Sequence, residues 1–242
     1  MQSLTSVKYR DGRVASKNLT ALMGKNYFTN PKDVDLLAML FGSTSLQEGD
    51  IVLDFFAGSG STGEAVMQFS ANSNIKLRYI LVQILEDLDT SLKSATGSAK
   101  QVLTNAIELC DALNKPHVLT EIGKERIRRA GAKIAAEAGE KAASLDIGFR
   151  CLRLDSTNMN EVYYSPDAMT QDDLFAQVDN VKADRTPEDL LFQTMLDLGI
   201  LLSSSIVEEE IADKRVFNVA EGFLFACFDR AVTDETVTAI AK

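Results

Sequence analysis

Histidine is nearly missing from this chain. His117 is the only one in 242 residues, so a site built on several histidines is excluded. It follows Pro116 in a loop-like stretch where nothing completes a nucleophile–base pair, and it reads as an exposed loop residue. Cysteine is also scarce. Cys110, Cys151 and Cys227 are odd in number, far apart and form no C-x-x-C pair. Neither a zinc site nor a disulfide framework is indicated, and a reducing cytoplasm is the expected compartment. No apolar run approaches the ~20 residues that a membrane helix needs. The stretch Met1–Arg13 has no apolar core, so it is not read as a secretory signal. Basic charge is in deficit: 25 Lys and Arg stand against 35 Asp and Glu, a net charge of −10. Phosphate contacts need clustered Lys and Arg, so this balance argues against a free-standing nucleic-acid clamp. What is present is ordinary for one or two globular domains: 45% hydrophobic and 25% charged residues, with no internal repeat. That suffices for a core without a disulfide or metal staple.

The first 26 residues are polar and without clear period, and they read as an arm or as the tail of something upstream. After Asn30-Pro31 the apolar residues Val34, Leu36, Leu37, Leu40 and Phe41 recur at helical spacing, and Gly42 is expected to end that helix. The run from Ile51 to Phe56 is short, apolar and β-branched at its start, as a buried parallel strand should be. A glycine-rich turn follows, then a helix from about Thr62 to Ser70 and a second strand from Leu77 to Gln83. Strand, turn, helix and strand make a βαβ unit, with the usual right-handed crossover expected. Farther on, helices are expected over 98–113, 119–144, 169–179 and 187–198. A third strand is expected over Gly148–Asp155, with Phe149, Cys151 and Leu152 to Leu154 largely inside. Thr186-Pro187-Glu188-Asp189 is a helix start, with Thr as N-cap, Pro next and acids in the first turn. The end reads as strands over 206–211, 215–219 and 223–228, with a turn at Asp213-Lys214.

The chemistry lies in the turn Asp54-Phe55-Phe56-Ala57-Gly58-Ser59-Gly60. A glycine-rich turn after a buried strand brings backbone close to a ligand at the carboxyl end of the sheet. Neither G-x-G-x-x-G nor G-x-x-x-x-G-K followed by Ser or Thr is present, so a phosphate cradle is not indicated. Gly58 and Gly60 permit close approach and unusual φ. The carboxylate of Asp54, at the strand end, is placed for a cationic or hydrogen-donating ligand. S-adenosyl-L-methionine, with its ammonium and sulfonium, is one. The plain alternative is a strand-to-helix turn that uses glycine for geometry alone.

The neighbouring residues bear on that choice. DFFAGSGSTGEAV closely resembles the S-adenosylmethionine motif of the β-class amino-methyltransferases that act on DNA, and Phe28-Thr29-Asn30-Pro31-Lys32 resembles the segment these enzymes carry just before it. Tyr79–Gln83, Ile122–Ala130, Gly148–Arg150, Leu154–Ser156, Thr186–Gln193 and Leu196–Gly199 then follow in an order similar to the C-terminal half of the Mod subunit of type III restriction–modification systems. The resemblance covers nearly the whole chain from about residue 27. It implies an α/β, Rossmann-like methyltransferase fold with a partial, mostly parallel sheet and flanking helices. A small C-terminal α+β segment would be added to it. The domains implied are an arm at 1–26, a cofactor-binding core at 27–160 and the C-terminal segment at 161–242. The cofactor would be S-adenosyl-L-methionine. Asp54 and Phe55, Phe56, Ala57, Gly58, Ser59 and Gly60, with Thr62, would hold its methionine part. Phe28, Asn30, Pro31 and Lys32 would close the other side. Gln83 or Glu86 would bond the ribose: Gln83 has the better register, Glu86 the stronger acceptor.

One departure is large. The family transfers its methyl group with D-P-P followed by Tyr, Phe or Trp, whose aromatic ring stacks on the extruded adenine. In this class that tetrapeptide precedes the glycine motif, and residues 1–26 do not contain it. The nearest look-alike, Tyr163–Asp167, is on the wrong side and in the wrong order. The chain is therefore expected to be the cofactor half of a DNA adenine-N6 methyltransferase, inactive alone, with no catalytic residue of its own. The alternative is an assembly module. DNA, a second copy and a restriction (Res) subunit are the expected partners, and no membrane.

Three other features have milder readings. The cluster Lys124, Arg126, Arg128, Arg129 and Lys133 reads as a solvated helix face paired with Glu121, Glu125 and Glu137, ahead of a DNA-backbone contact. Glu208-Glu209-Glu210 reads as a polar strand edge or turn. Phe223, Phe225 and Phe228, with Cys227, read as core.

Overall fold

The computed structural model describes residues 11–160 and 180–241. Two compact units divide the chain, Met1–Phe149 and Arg150–Lys242.

In the first unit, helix α1 spans Gly12–Met23. Asp11 caps it by accepting from the backbone N–H of Arg13 at 2.9 Å. Ala15, Leu19 and Met23, four residues apart, form one buried stripe. Gly24 closes the helix at φ 95°. This element falls where the sequence suggested an aperiodic arm. The stripe has only one residue per turn, so polar neighbours hide it from a periodicity reading. Helix α2, Val34–Ser43, starts at Asp33, whose carboxylate accepts from Leu36 N–H at 2.8 Å. Gly42 does not end it. The glycine sits inside the last turn, where an added Cβ would lie 3.5 Å from the Phe69 ring.

Strand β1 (Ile51–Asp54) and strand β2 (Arg78–Leu81) pair in parallel, Ile51 opposite Arg78 through Asp54 opposite Leu81. Helix α3, Ser61–Ser73, connects them. Short helix α4 (Leu88–Ser94), α5 (Gly97–Ala112) and α6 (Leu119–Ala138) follow, and a 3-10 turn over Gly139–Ser144 finishes the long helix expected over 119–144. Two cores hold this unit. Leu19, Met23, Leu88, Ala106, Leu109, Leu119 and Ile122 join α1, α4, α5 and α6. Met67, Ile127 and Ala130 join α3 and α6, with Tyr79 and Leu81 packed against them from the sheet.

The sheet buries one face. Val52 and Asp54, Tyr79 and Leu81 are half-buried, whereas Ile51, Leu53 and Ile80 on the opposite face are about half exposed, at 49%, 48% and 49%. The third strand expected over Gly148–Asp155 does not form. Those residues form no ladder, Leu152 is exposed and Leu154 fully so. An extended apolar segment becomes a strand only with a neighbour to pair with. Phe149 alone reaches the core, with the Arg128 guanidinium 5.6 Å from its ring centroid.

In the second unit, helix α7 (Pro187–Asp197) has the expected start, completed as a capping box: Thr186 Oγ1 accepts from Asp189 N–H, and Asp189 Oδ2 accepts from Thr186 N–H. Strands β3 (Ile206–Ile211), β4 (Lys214–Val219) and β5 (Leu224–Ala226) form an antiparallel sheet in that order. The β3–β4 turn uses Ala212 and Asp213, both at positive φ, one residue earlier than expected. Leu191, Met195, Ile200, Phe217 and Val219 are its core. Phe228 packs there, 6.2 Å from Phe217 between centroids, but Phe223 and Phe225 are exposed. A strand of three residues is too short to bury that whole aromatic run. The glutamates of β3 lie on an edge strand, and Glu208 pairs with Arg215. A last helix, α8, spans Asp234–Ile240. The helix expected over 169–179 and the residues Tyr163–Asp167 lie outside the described residues.

Candidate functional site

The site is built at the carboxyl end of β1, where the chain turns into α3. Asp54 ends the strand, half-buried. Its two oxygens organise the turn: Oδ1 accepts from the backbone N–H of Phe56 at 2.9 Å, and Oδ2 accepts from Thr62 Oγ1 at 2.6 Å. A carboxylate offers about four lone-pair directions, so these two bonds leave acceptor capacity. Gly60 N–H donates to Ala57 O at 2.8 Å and closes the turn. Gly58 and Gly60 both adopt left-handed φ, 52° and 77°. The glycines thus have a geometric reason to be there, as either reading of the turn requires. The rings of Phe55 and Phe56 stand in solvent, 62% and 82% exposed.

Three elements press on this turn from outside. Phe28 brings its ring tip to Gly58, where an added Cβ would lie 3.1 Å from Cζ. Asn30 and Lys32 are exposed, and Pro31 is buried. From the end of β2, the Gln83 side chain reaches back: Oε1 accepts from Gly58 N–H at 2.8 Å, and Nε2 donates to Ile84 O. Glu86 is exposed and accepts from Ser91 Oγ at 3.0 Å. The structure therefore ties Gln83 to the glycine turn and leaves Glu86 at the surface, bonded to Ser91.

The third element is α6. Gly123 lets it approach, since an added Cβ there would lie 3.2 Å from Gly58 O. One turn on, Arg126 is buried at 2% exposure. Its Nη1 donates to Ser59 Oγ and to Ser61 Oγ, each at 2.7 Å, and its Nε donates to Glu64 at 2.7 Å. Arg126 thus departs from the solvated face expected of its cluster. The other members keep the expected pairing, Lys124 with Glu121, Arg128 and Arg129 with Glu125, and Lys133 with Glu137, but only Arg128 and the Lys133–Glu137 pair are solvated, and Glu121 is buried. Arg129 also donates to the Met23 carbonyl. Gly123 carries the one sequence signal for this contact, because a glycine inside a helical pattern usually has a packing reason. Below the turn, Tyr79 sits under α3 and α6, and burial pushes its hydroxyl up to about 12, with the nearby Asp146 charge adding to the shift.

A parallel βαβ unit with this turn at the strand end is consistent with a methyltransferase-like domain. Residues 5–130, more than half of the chain, match the DNA methylase family of N6 and N4 methyltransferases, and the chain belongs to that family. Within the family it is similar to the Mod subunit of the type III restriction–modification enzyme StyLTI of Salmonella typhimurium strain LT2. The two are 33% identical over 158 residues, which is 65% of this chain and 20% of that protein. It is likewise similar to the Mod subunit of the type III enzyme EcoP15I of Escherichia coli, 34% identical over 134 residues, 54% of this chain and 18% of that one. The chain thus spans about a fifth of the length of these relatives.

Proposed function

We propose that this chain is the S-adenosyl-L-methionine-binding portion of a DNA adenine-N6 methyltransferase that works in a type III restriction–modification system. The observation that carries the reading is the turn after β1: two left-handed glycines, a strand-end carboxylate with acceptor capacity to spare, and two exposed aromatic rings. The Asp54 carboxylate attracts a cationic amino-acid ligand and would repel a phosphate. When bound, the cofactor supplies an electrophilic methyl group on its sulfonium. The chain's own residues bind and orient it. Asp54 accepts from the ligand's donors, and the Phe55–Gly60 backbone, with Thr62, shapes the pocket floor. Phe28 closes one side, together with Asn30, Pro31 and Lys32. Gln83 braces the turn, so Glu86 takes the ribose hydroxyls. The four prolines of the chain are all isolated, so no D-P-P sequence occurs in these 242 residues. The methyl acceptor's contacts are then supplied by another polypeptide segment, and no catalytic residue is assigned here. Residues 27–160, with helix α1 packed against them, serve as the cofactor core, and 161–242 as the attachment segment, of a cytoplasmic enzyme.

Two measurements test this. Calorimetry with S-adenosyl-L-homocysteine should show saturable binding that Asp54→Ala abolishes. Incubation with labelled S-adenosyl-L-methionine and unmethylated DNA should give no transfer. Absence of ligand heat refutes the cofactor role, and turnover by the chain alone refutes its dependence on a second segment.

A second reading, an assembly module, is favoured by one observation. The outer face of the parallel sheet leaves Ile51, Leu53 and Ile80 about half exposed, with Arg78 beside them, although parallel sheets are covered on both faces. A second copy of the chain covering that face would appear as a dimer in sedimentation, and Leu53→Lys would return it to monomer. A restriction subunit is the other candidate partner for the complete complex.

A further inference from the structure

The buried Arg126 has no evident reason to exist in a helix whose task is packing. A guanidinium stays charged in any protein, so taking it out of water is costly unless every donor is matched. Replacing such a group with an apolar side chain of similar size is often neutral or stabilising. Stability is therefore a poor explanation for it, and its contacts suggest another. Its Nη1 is shared by the hydroxyls of Ser59 and Ser61, which flank Gly60 and lie 3.4 Å apart. One donor group thus clamps both ends of the left-handed residue that sets the turn. Glu64, one turn into α3, accepts from Nε and fixes the guanidinium plane. Gly123 and Ile127, on the same edge of α6, press on the turn backbone and on Gly60. The brace is supplied from more than sixty residues away in sequence.

We propose that Arg126 is a positioning residue for the cofactor turn: it holds Ser59–Ser61 in the binding conformation before ligand arrives, and so sets the affinity for S-adenosyl-L-methionine. This rests on the reading of that turn as the cofactor pocket. A preformed loop does not pay its ordering entropy on binding, and that saving appears as affinity.

The test compares the wild-type chain with Arg126→Met combined with Glu64→Gln, which removes the charge pair together and leaves no orphaned carboxylate. Two readouts are taken: S-adenosyl-L-homocysteine affinity by calorimetry, and hydrogen exchange of the amides of residues 57–62 against those of α6. Expected are a Kd weakened at least ~10-fold and faster exchange in the turn, with α6 protection retained. Should that variant fail to fold, Ser59→Ala with Ser61→Ala decides the matter. It removes the acceptors, leaves the Arg126–Glu64 pair, and should weaken binding similarly. A folded variant with unchanged affinity and unchanged turn exchange overturns the proposal while the cofactor reading stands. If instead the wild-type chain shows no ligand heat, the cofactor reading fails. The exchange comparison then decides separately whether Arg126 braces the turn.

Discussion

His117 lies between two carboxylates, with Nδ1 2.9 Å from Asp89 and Nε2 2.8 Å from Asp111. Asp111 first, and Asp89 with it, hold the imidazole in its charged form and raise its pKa above the ordinary value. A group raised in the folded state stabilises fully below its unfolded value, ~6.5, and loses that contribution as pH rises through the folded value. The melting temperature of the native chain should therefore exceed that of His117→Ala by most near pH ~5.5, with the gap closing toward alkaline pH. A constant gap would contradict the clamp. Tyr79 is a different case. Its hydroxyl oxygen is buried and has no hydrogen-bond partner among the described residues. Tyr79→Phe removes an unpaid desolvation and should raise the unfolding free energy by about 1 kcal/mol in a urea titration. Neither situation is legible in the sequence. His117 reads as an exposed loop residue because its partners come from α4 and α5, one of them 28 positions away.

At the scale of elements, the turn between β1 and α3 was the most legible feature. Its glycines, its strand and its helix all lie within a dozen residues, and local sequence decides local conformation there. Gly60→Ala tests it. At φ 77° a side chain is strained, and the new Cβ would meet Ile127 at 3.1 Å and Gly123 O at 3.2 Å. A loss of at least about 1–2 kcal/mol follows from the left-handed backbone alone, measurable by urea denaturation. Elements that depend on a distant partner were legible only in part. Helix α1 shows too sparse a stripe, and the segment after Ile147 has the composition of a strand but no neighbour to pair with. The start of α7 needed no distant help, because the capping box lies within Thr186–Asp189, and it formed as the residues dictate.

For the whole molecule, the net charge of −10 and the family membership pull in opposite directions. The structure eases the conflict by showing where the basic residues go. Arg126 is buried, and Lys124, Arg128, Arg129 and Lys133 are each paired with a glutamate. With its one basic cluster neutralised internally, the chain should give no gel shift with duplex DNA even at low salt, where phosphate contacts are strongest. A salt-sensitive shift would show that these pairs open for phosphate. The sequence by itself determined the βαβ unit, the glycine turn, the family resemblance and the Thr186 cap, because each is written in residues close along the chain. Only the tertiary structure decided which side chains serve that turn. Gln83, Gly123 and Arg126 come to it from the next strand and from a helix far downstream, and the physical reason is packing. Whether a guanidinium is a surface charge or a buried clamp depends on what covers it, and local sequence does not encode that cover.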